Sequence, residues 1–268
     1  MTAGQRWGGA VLSWYSYLAI AFLLLPELVA IGVSFNPTSR MVLPAGALSL
    51  QWYRTLWTRP GFGHAFALSL YIAPLATLVS ILLGGSAAYY FSRYRIRASG
   101  VMSALFFAPL VVPGAAVGAA MFLLLNQFYL TETISGVVIA HIVLTLPYTF
   151  RTLGAAFAGL DRAYEEAAFS LGASHAVILR RIVLPLIRPG ILAAALFSLI
   201  ISLDEFTVTL FVSGRTVITF PLQIFNAIEY GLDPTVTAAA TVMLGMSAIA
   251  IILIERAVGL NLTHPAVQ

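Results

Sequence analysis

Long apolar runs, separated by short polar segments, dominate this chain. Six of them are long enough to cross a bilayer, which takes about 20 helical residues. They cover residues 11–35, 64–91, 101–126, 136–157, 190–212 and 235–255. In hydrocarbon a spanning helix satisfies every backbone polar group internally. The predicted fold is therefore all-α and integral to the membrane, with six transmembrane helices. One basic residue, Arg6, precedes the first run. That run is longer than the apolar stretch of a secretory signal, and no clear small-x-small cleavage site follows it. It reads as a retained helix.

Several runs are patterned for close packing and bending. Gly114 and Gly118 form GxxxG, and Gly84 with Ala88 is a small-xxx-small pair; both let helix backbones approach. Pro26, Pro74, Pro109, Pro113 and Pro147 fall at membrane depth, where each removes a helix hydrogen bond. His141 lies within the fourth run, where a hydrogen bond between packed helices is the expected role. After the fifth run, residues 221–230 predict a short helix stopped by Gly231. Asp233 and Pro234 then open the sixth span as cap and first helical residue.

Composition narrows the function. Of 268 residues, 60% are hydrophobic and only 9% charged, against about 25% charged in soluble domains. The net charge of +4 is spread thinly, which excludes a nucleic-acid groove. There is no cysteine, hence no disulfide, thiolate nucleophile or cysteine metal site. All fourteen basic residues are arginine. A phosphate-binding loop needs Gly-Lys-Ser/Thr, so this chain is not itself a standard P-loop ATPase. No catalytic or metal-ligating set stands out: His64, His141, His175 and His264 are scattered.

With the N-terminus inside, ten arginines fall on the inner side and four, Arg40, Arg54, Arg59 and Arg215, on the outer. The positive-inside bias predicts both termini in the cytoplasm. Residues 93–97 and 161–188 are then cytoplasmic, and 36–62 and 213–233 external. The N-terminal helix with its external loop occupies 1–61, the main membrane domain 62–257, and a cytoplasmic tail 258–268.

The inner segment between the fourth and fifth runs carries the most specific pattern. Asp161 is placed to cap a helix, and Glu165 and Glu166 lie near its positive end. Gly172 suits the left-handed residue that stops it. Ser174 is placed to cap a second short helix, expected to end before Pro185. The prediction is helix, sharp turn, helix, with an outer side that mixes acids with aromatic groups.

Glu166-Ala167-Ala168, Gly172 and Ile182-x-Leu184-Pro185 fall at the offsets of Glu-Ala-Ala, three residues, Gly, nine residues, Ile-x-Leu-Pro. This resembles the EAA loop of ABC-transporter permeases of the binding-protein-dependent import class, with a MetI-like fold. Residues 62–256 are similar to the five-helix type I importer core, preceded by one extra helix. Ala108-Pro109-Leu110-Val111-Val112-Pro113-Gly114 resembles the family's third span. Ser202-Leu203-Asp204-Glu205-Phe206 and Phe211-Val212-Ser213-Gly214 resemble the polyamine-type subfamily. Two departures are the acidic pair with Glu second and the intramembrane Glu27.

The resemblance implies a pore-forming permease subunit of the bacterial inner membrane, not an enzyme. The cytoplasmic segment would be its coupling helix, with Glu165, Glu166, Ala167, Ala168, Gly172, Ile182, Leu184 and Pro185 as ATPase-coupling residues. The chain itself would hold no cofactor; ATP and Mg would sit on the partner. Implied partners are a second, paralogous permease, two copies of an ATPase subunit and a periplasmic or lipid-anchored solute-binding protein. The implied solute is a polyamine or related amine such as an opine or a 4-aminobutyrate-like compound, with a phosphonate or other non-cationic solute as the alternative. Acids at membrane depth normally face a wet path or the bundle interior, so Asp204, Glu205 and Glu27 are candidate path residues. Asp204 is expected to face the path, and Glu205 to hold a neighbouring helix. The competing readings are an ion-coupled transporter, which internal repeats would mark, and a membrane enzyme. No repeat joins the two halves, and the motif HExxH is absent.

Overall fold

The computed structural model describes residues 3–94 and 99–258, with side chains over 12–94 and 100–256. Arg95, Arg97 and the tail beyond Val258 lie outside the described residues, as does the side chain of Arg6. In chain order the helices are α1 (Ala3–Ser34), α2 (Gln51–Thr58), α3 (Phe62–Arg93), α4 (Ser99–Val111), α5 (Gly114–Gln127), α6 (Ile134–Ala158) and α7 (Ala163–Ser170). They continue as α8 (His175–Ile178), a π-helical turn (Leu179–Val183), α9 (Leu184–Leu186), α10 (Arg188–Asp204), α11 (Thr207–Val212), α12 (Phe220–Tyr230) and α13 (Pro234–Val258). All regular structure among the described residues is helical.

Four helices, α1, α3, α6 and α13, are each long and apolar enough to cross a membrane. Two bent pairs pass the same test together: α4 with α5 at 108°, and the segment His175–Leu186 with α10 at 71°. The count is four spans, or up to six where each bent pair is one span. At about 1.5 Å per residue, the 32 residues of α3 extend for about 48 Å, well beyond a hydrocarbon core of about 30 Å.

Three expectations are corrected. The third run does not form one helix: it breaks at Val112-Pro113, where Pro113 has φ −54° and ψ 137°. Proline lacks an N–H and disfavours a helical residue before it, so two prolines four apart, with Gly114 next, end one helix and start another. The fifth run also breaks. α10 stops at Asp204, Glu205 is extended at φ −71° and ψ 114°, and α11 starts at Thr207. The short helix after Ser174 does not end before Pro185 but runs to Leu186. The π-helical turn explains this: the Leu184 N–H reaches back five residues to the Leu179 carbonyl. Pro185 then follows as an early residue of the next turn, where a missing N–H costs little.

The described residues form two compact units, those within 1–63 and 224–245, and those within 64–223 and 246–268. In the first, the buried Asn36 side chain donates to the Arg40 and Val42 carbonyls and accepts from the Thr38 N–H, fixing the loop after α1. Asp233 caps α13 by accepting from the Thr235 N–H at 2.8 Å and pairs with Arg59 at 3.0 Å. As expected, Gly231 follows α12 with a positive φ of 148°.

The second unit has two core clusters. One joins α3, α5, α6 and α11 through Ile72, Met121, Val137 and Val208. The other joins α3, α6, α10 and the π-helical turn through Ala88, Phe150, Leu153, Val183 and Ala194. Phe150 stacks on Phe106 with centroids 4.4 Å apart and meets Phe91 and Phe107 edge-on. Between lipid-embedded helices apolar burial gives little drive, so small residues and hydrogen bonds matter more. A Cβ on Gly84 would lie 2.2 Å from Thr149 Oγ1, and one on Gly118 only 2.5 Å from the Phe211 ring. These glycines set the α3–α6 and α5–α11 spacings.

Candidate functional site

The segment from α6 to α10 is built around one turn. Asp161 Oδ1 accepts from the Ala163 N–H at 3.0 Å, and α7 starts there with Arg162 in the cap position. The helix ends in a Schellman turn. Gly172, at φ +85°, donates to Phe169 O at 2.9 Å, and Ala173 donates to Ala168 O at 3.1 Å. Those two bonds satisfy carbonyls that the helix end would otherwise leave open. Ser174 takes the cap position of α8, but its hydroxyl makes no capping bond.

The adjacent acids of α7 point different ways, as a rotation of about 100° per residue requires. Glu165 turns toward α3. Its Oε1 accepts from Arg93 Nε at 2.7 Å, and its Oε2 accepts from the Tyr89 hydroxyl at 3.1 Å. Glu166 is exposed and, with Glu165, Phe169, Ser170, His175 and Ile178, lines an open cavity of about 370 Å³. His175 stacks on Phe169 at 5.5 Å. Phe169 is 60% and Leu171 89% exposed. Ala167 is exposed and Ala168 half-buried. Further on, Val183 fills the core with no exposure. The flanking Ile182 is half-buried, and Leu184 and Pro185 are exposed.

The second candidate region is the break after α10. Glu205 acts as a cap for α11: its Oε1 accepts from the Val208 N–H at 2.7 Å, and its carbonyl accepts from Thr209 Oγ1 at 3.2 Å. Asp204 is exposed and has no hydrogen bond or ion pair among the described residues. It sits at the C-terminal end of α10, where open carbonyls carry partial negative charge. His141 on α6 is 1% exposed and joins both sides of the break. Its Nδ1 is 2.7 Å from Ser202 Oγ and its Nε2 2.9 Å from Thr209 Oγ1. Glu27 lies exposed on α1, in the other unit.

A family model described as "Binding-protein-dependent transport system inner membrane component" matches residues 76–260. Over 239 residues the chain is 31% identical to the spermidine/putrescine transport system permease protein PotC of Haemophilus influenzae, covering 89% of this chain and 93% of that protein. The chain belongs to this transport family. As such a component it is also 32% identical over 237 residues to the putrescine transport system permease protein PotI of Escherichia coli K12, covering 85% of this chain and 83% of that one. Its fold matches a chain of the bacterial alginate ABC transporter, solved with a periplasmic protein carrying an alginate pentasaccharide. That likeness has TM-score 0.76 at 14% identity and covers 94% of both chains. The resemblance read from residues 159–185 and the family thus agree, and the chain is a membrane permease component.

Two features of this permease were missed in the sequence. The charge pattern marks Arg93 only as an inner-side charge, although Tyr89 and Arg93 stand four apart and share a helix face. The α10–α11 break was hidden because Glu205 and Phe206 interrupt the helix without a proline or glycine.

Proposed function

We propose that this chain is one of two permeases forming the pore of an ATP-driven importer for a polyamine or related small amine. A separate ATPase, present in two copies with ATP and Mg, drives it, and a solute-binding protein delivers the solute. Both termini are cytoplasmic, residues 62–257 form the type I core, and α7 is the coupling helix. The observation that carries this reading is the α7 turn. Gly172 holds the helix so that Glu166, Phe169 and Leu171 present an acid and two apolar side chains outward. That surface suits a groove on another subunit.

The solute class rests on PotC and PotI, which are permeases for spermidine and putrescine by name, and on Asp204. A free carboxylate at the negative end of α10 gives a locally anionic stretch at membrane depth. Such half-helix ends stabilise cations in other transporters. Asp204 passes the amine; Glu205, occupied by the Val208 N–H, keeps the break in shape.

The test is purification of the assembled complex and uptake of labelled putrescine and spermidine into proteoliposomes. The ATPase subunit should copurify, and Asp204→Asn should lower amine uptake about tenfold or more while the complex still assembles. Failure to copurify any ATPase refutes the importer reading. Normal uptake by Asp204→Asn removes that residue from the path.

A further inference from the structure

Glu165, the residue before the Glu-Ala-Ala motif, borders the open cavity but is only 16% exposed and turns its carboxylate toward α3. Both its carboxylate oxygens are taken by the last turn of α3. Arg93 Nε donates to Oε1 at 2.7 Å, and Nη2 lies 2.5 Å from the same oxygen. The Tyr89 hydroxyl donates to Oε2. Side-chain exposure is 10% for Arg93 and 16% for Glu165, so water screens the pair weakly. Arg93 makes two more contacts. Its Nη1 donates to Phe157 O at the end of α6 at 3.3 Å, and its guanidinium lies over the Tyr89 ring at 5.6 Å. Tyr89 in turn packs on Phe157 at 5.2 Å. A second link runs the other way: Arg162, at the start of α7, donates from Nη2 to Ser92 O. α3, the end of α6 and α7 are therefore clamped together at one point.

Chain connectivity alone would deliver a push on α7 to its sequence neighbours, α6 and α8. The clamp adds a connection to α3, whose Arg93 lies 72 residues upstream of Glu165. We propose that Arg93 and Tyr89 are positioning residues that bind α7 to α3 through Glu165, so that displacement of α7 moves the α3 span directly. Glu165 and Glu166 then divide the labour of one helix turn. Glu166 faces the partner, and Glu165 grips the membrane domain. This rests on the reading of α7 as the coupling helix and adds the element that receives its motion.

A residue that only holds the loop in shape would change the amount of assembled complex. A residue that transmits motion changes how much solute moves per ATP hydrolysed. The experiment uses the assembled complex in proteoliposomes with Arg93→Glu, Tyr89→Phe and the exchange Arg93→Glu with Glu165→Arg. Labelled putrescine imported per ATP hydrolysed is one readout. The other is solute-independent: the nucleotide-dependent change in labelling rate of a single cysteine placed at Tyr71, a 57% exposed position on α3. This chain has no native cysteine, so label recovered on it reports position 71 alone.

Arg93→Glu should lower the import-to-ATP ratio about tenfold, within the range by which residues on a coupling route act. It should also abolish the nucleotide-dependent change at position 71. The exchange should restore much of both. Tyr89→Phe removes only a hydroxyl, so it assembles even where charge reversal prevents folding, and it should lower the ratio about twofold. Arg93→Glu and Tyr89→Phe complexes that match the wild type in both readouts overturn the proposal. So does loss of assembled complex with an unchanged ratio in what remains. If Glu166→Arg leaves ATPase copurification intact and position 71 never responds to nucleotide in the wild type, the coupling-helix reading itself fails instead.

Discussion

Replacing Gly172 isolates the backbone of the α7 turn from its packing. Gly172 sits at φ +85°, and a Cβ built there would meet nothing within 4 Å. Any effect of a small side chain therefore comes from conformation. An L-residue in the left-handed region costs about 1–2 kcal/mol, more with β-branching, and asparagine tolerates it best. If valine drives the turn open, the bonds from Gly172 to Phe169 O and from Ala173 to Ala168 O are lost as well, at about 1 kcal/mol each. A net shift of about 2 kcal/mol changes the ratio of formed to opened turn about 30-fold. Transport by the reconstituted complex should rank glycine, asparagine, alanine, valine, with Gly172→Val about tenfold or more below the wild type. Insertion into the membrane should not change, because the position packs against nothing. The assay is solute uptake and ATP hydrolysis on the same vesicles, normalised to permease content. If Gly172→Val retained wild-type uptake and hydrolysis, α7 would not be the coupling element. If asparagine were as damaging as valine, the conformational argument would fail.

Two further outcomes can be checked independently. Gly84→Ala forces a Cβ to within 2.2 Å of Thr149 Oγ1 and 3.0 Å of the Phe150 backbone nitrogen; such overpacking costs about 1–3 kcal/mol. The purified permease should melt several degrees lower, at about 2–4 °C per kcal/mol, whereas Gly245→Ala, with nothing within 4 Å, should melt like the wild type. Topology is open to single-cysteine labelling: an impermeant reagent added to intact cells should modify a cysteine at Tyr230, which is 88% exposed, and spare one at exposed His175. Labelling at 175 from outside would reverse the proposed orientation.

What could be read in the sequence was whatever depends on short-range rules. Apolar length gave α3, α6 and α13 to within about three residues at each end, and the end but not the start of α1, because a lipid-spanning helix needs little beyond composition. The Gly172 stop and the Asp233-Pro234 start were also legible, since each is a local requirement of glycine conformation or capping. The α4–α5 break is half-legible: Pro109 and Pro113 mark lost hydrogen bonds, but a 108° bend needs neighbours to fix its direction. The α10–α11 break was not legible at all. Glu205 stops one helix by capping the next, a choice made by the Val208 N–H and by His141 bridging Ser202 and Thr209. His141 lies more than sixty residues from Ser202 and Thr209, and hydropathy sees only one continuous apolar run. The direction of Glu165 was hidden for the same reason: the arginine that claims it lies 72 residues upstream.

The π-helical turn at Leu179–Val183 gives the spacing between Gly172 and Pro185 a mechanical meaning. Its wider loop holds one more residue than an α-helical turn would. Deleting Arg180 or Arg181 would let the segment wind as ordinary α-helix with α7 keeping nearly its present direction, because five residues of the wide turn go round about as far as four of an α-helix. The turn is thus a store of slack: it absorbs the loss of one residue, whereas a deletion within α8 would turn α7 by about 100° even though every motif residue is kept.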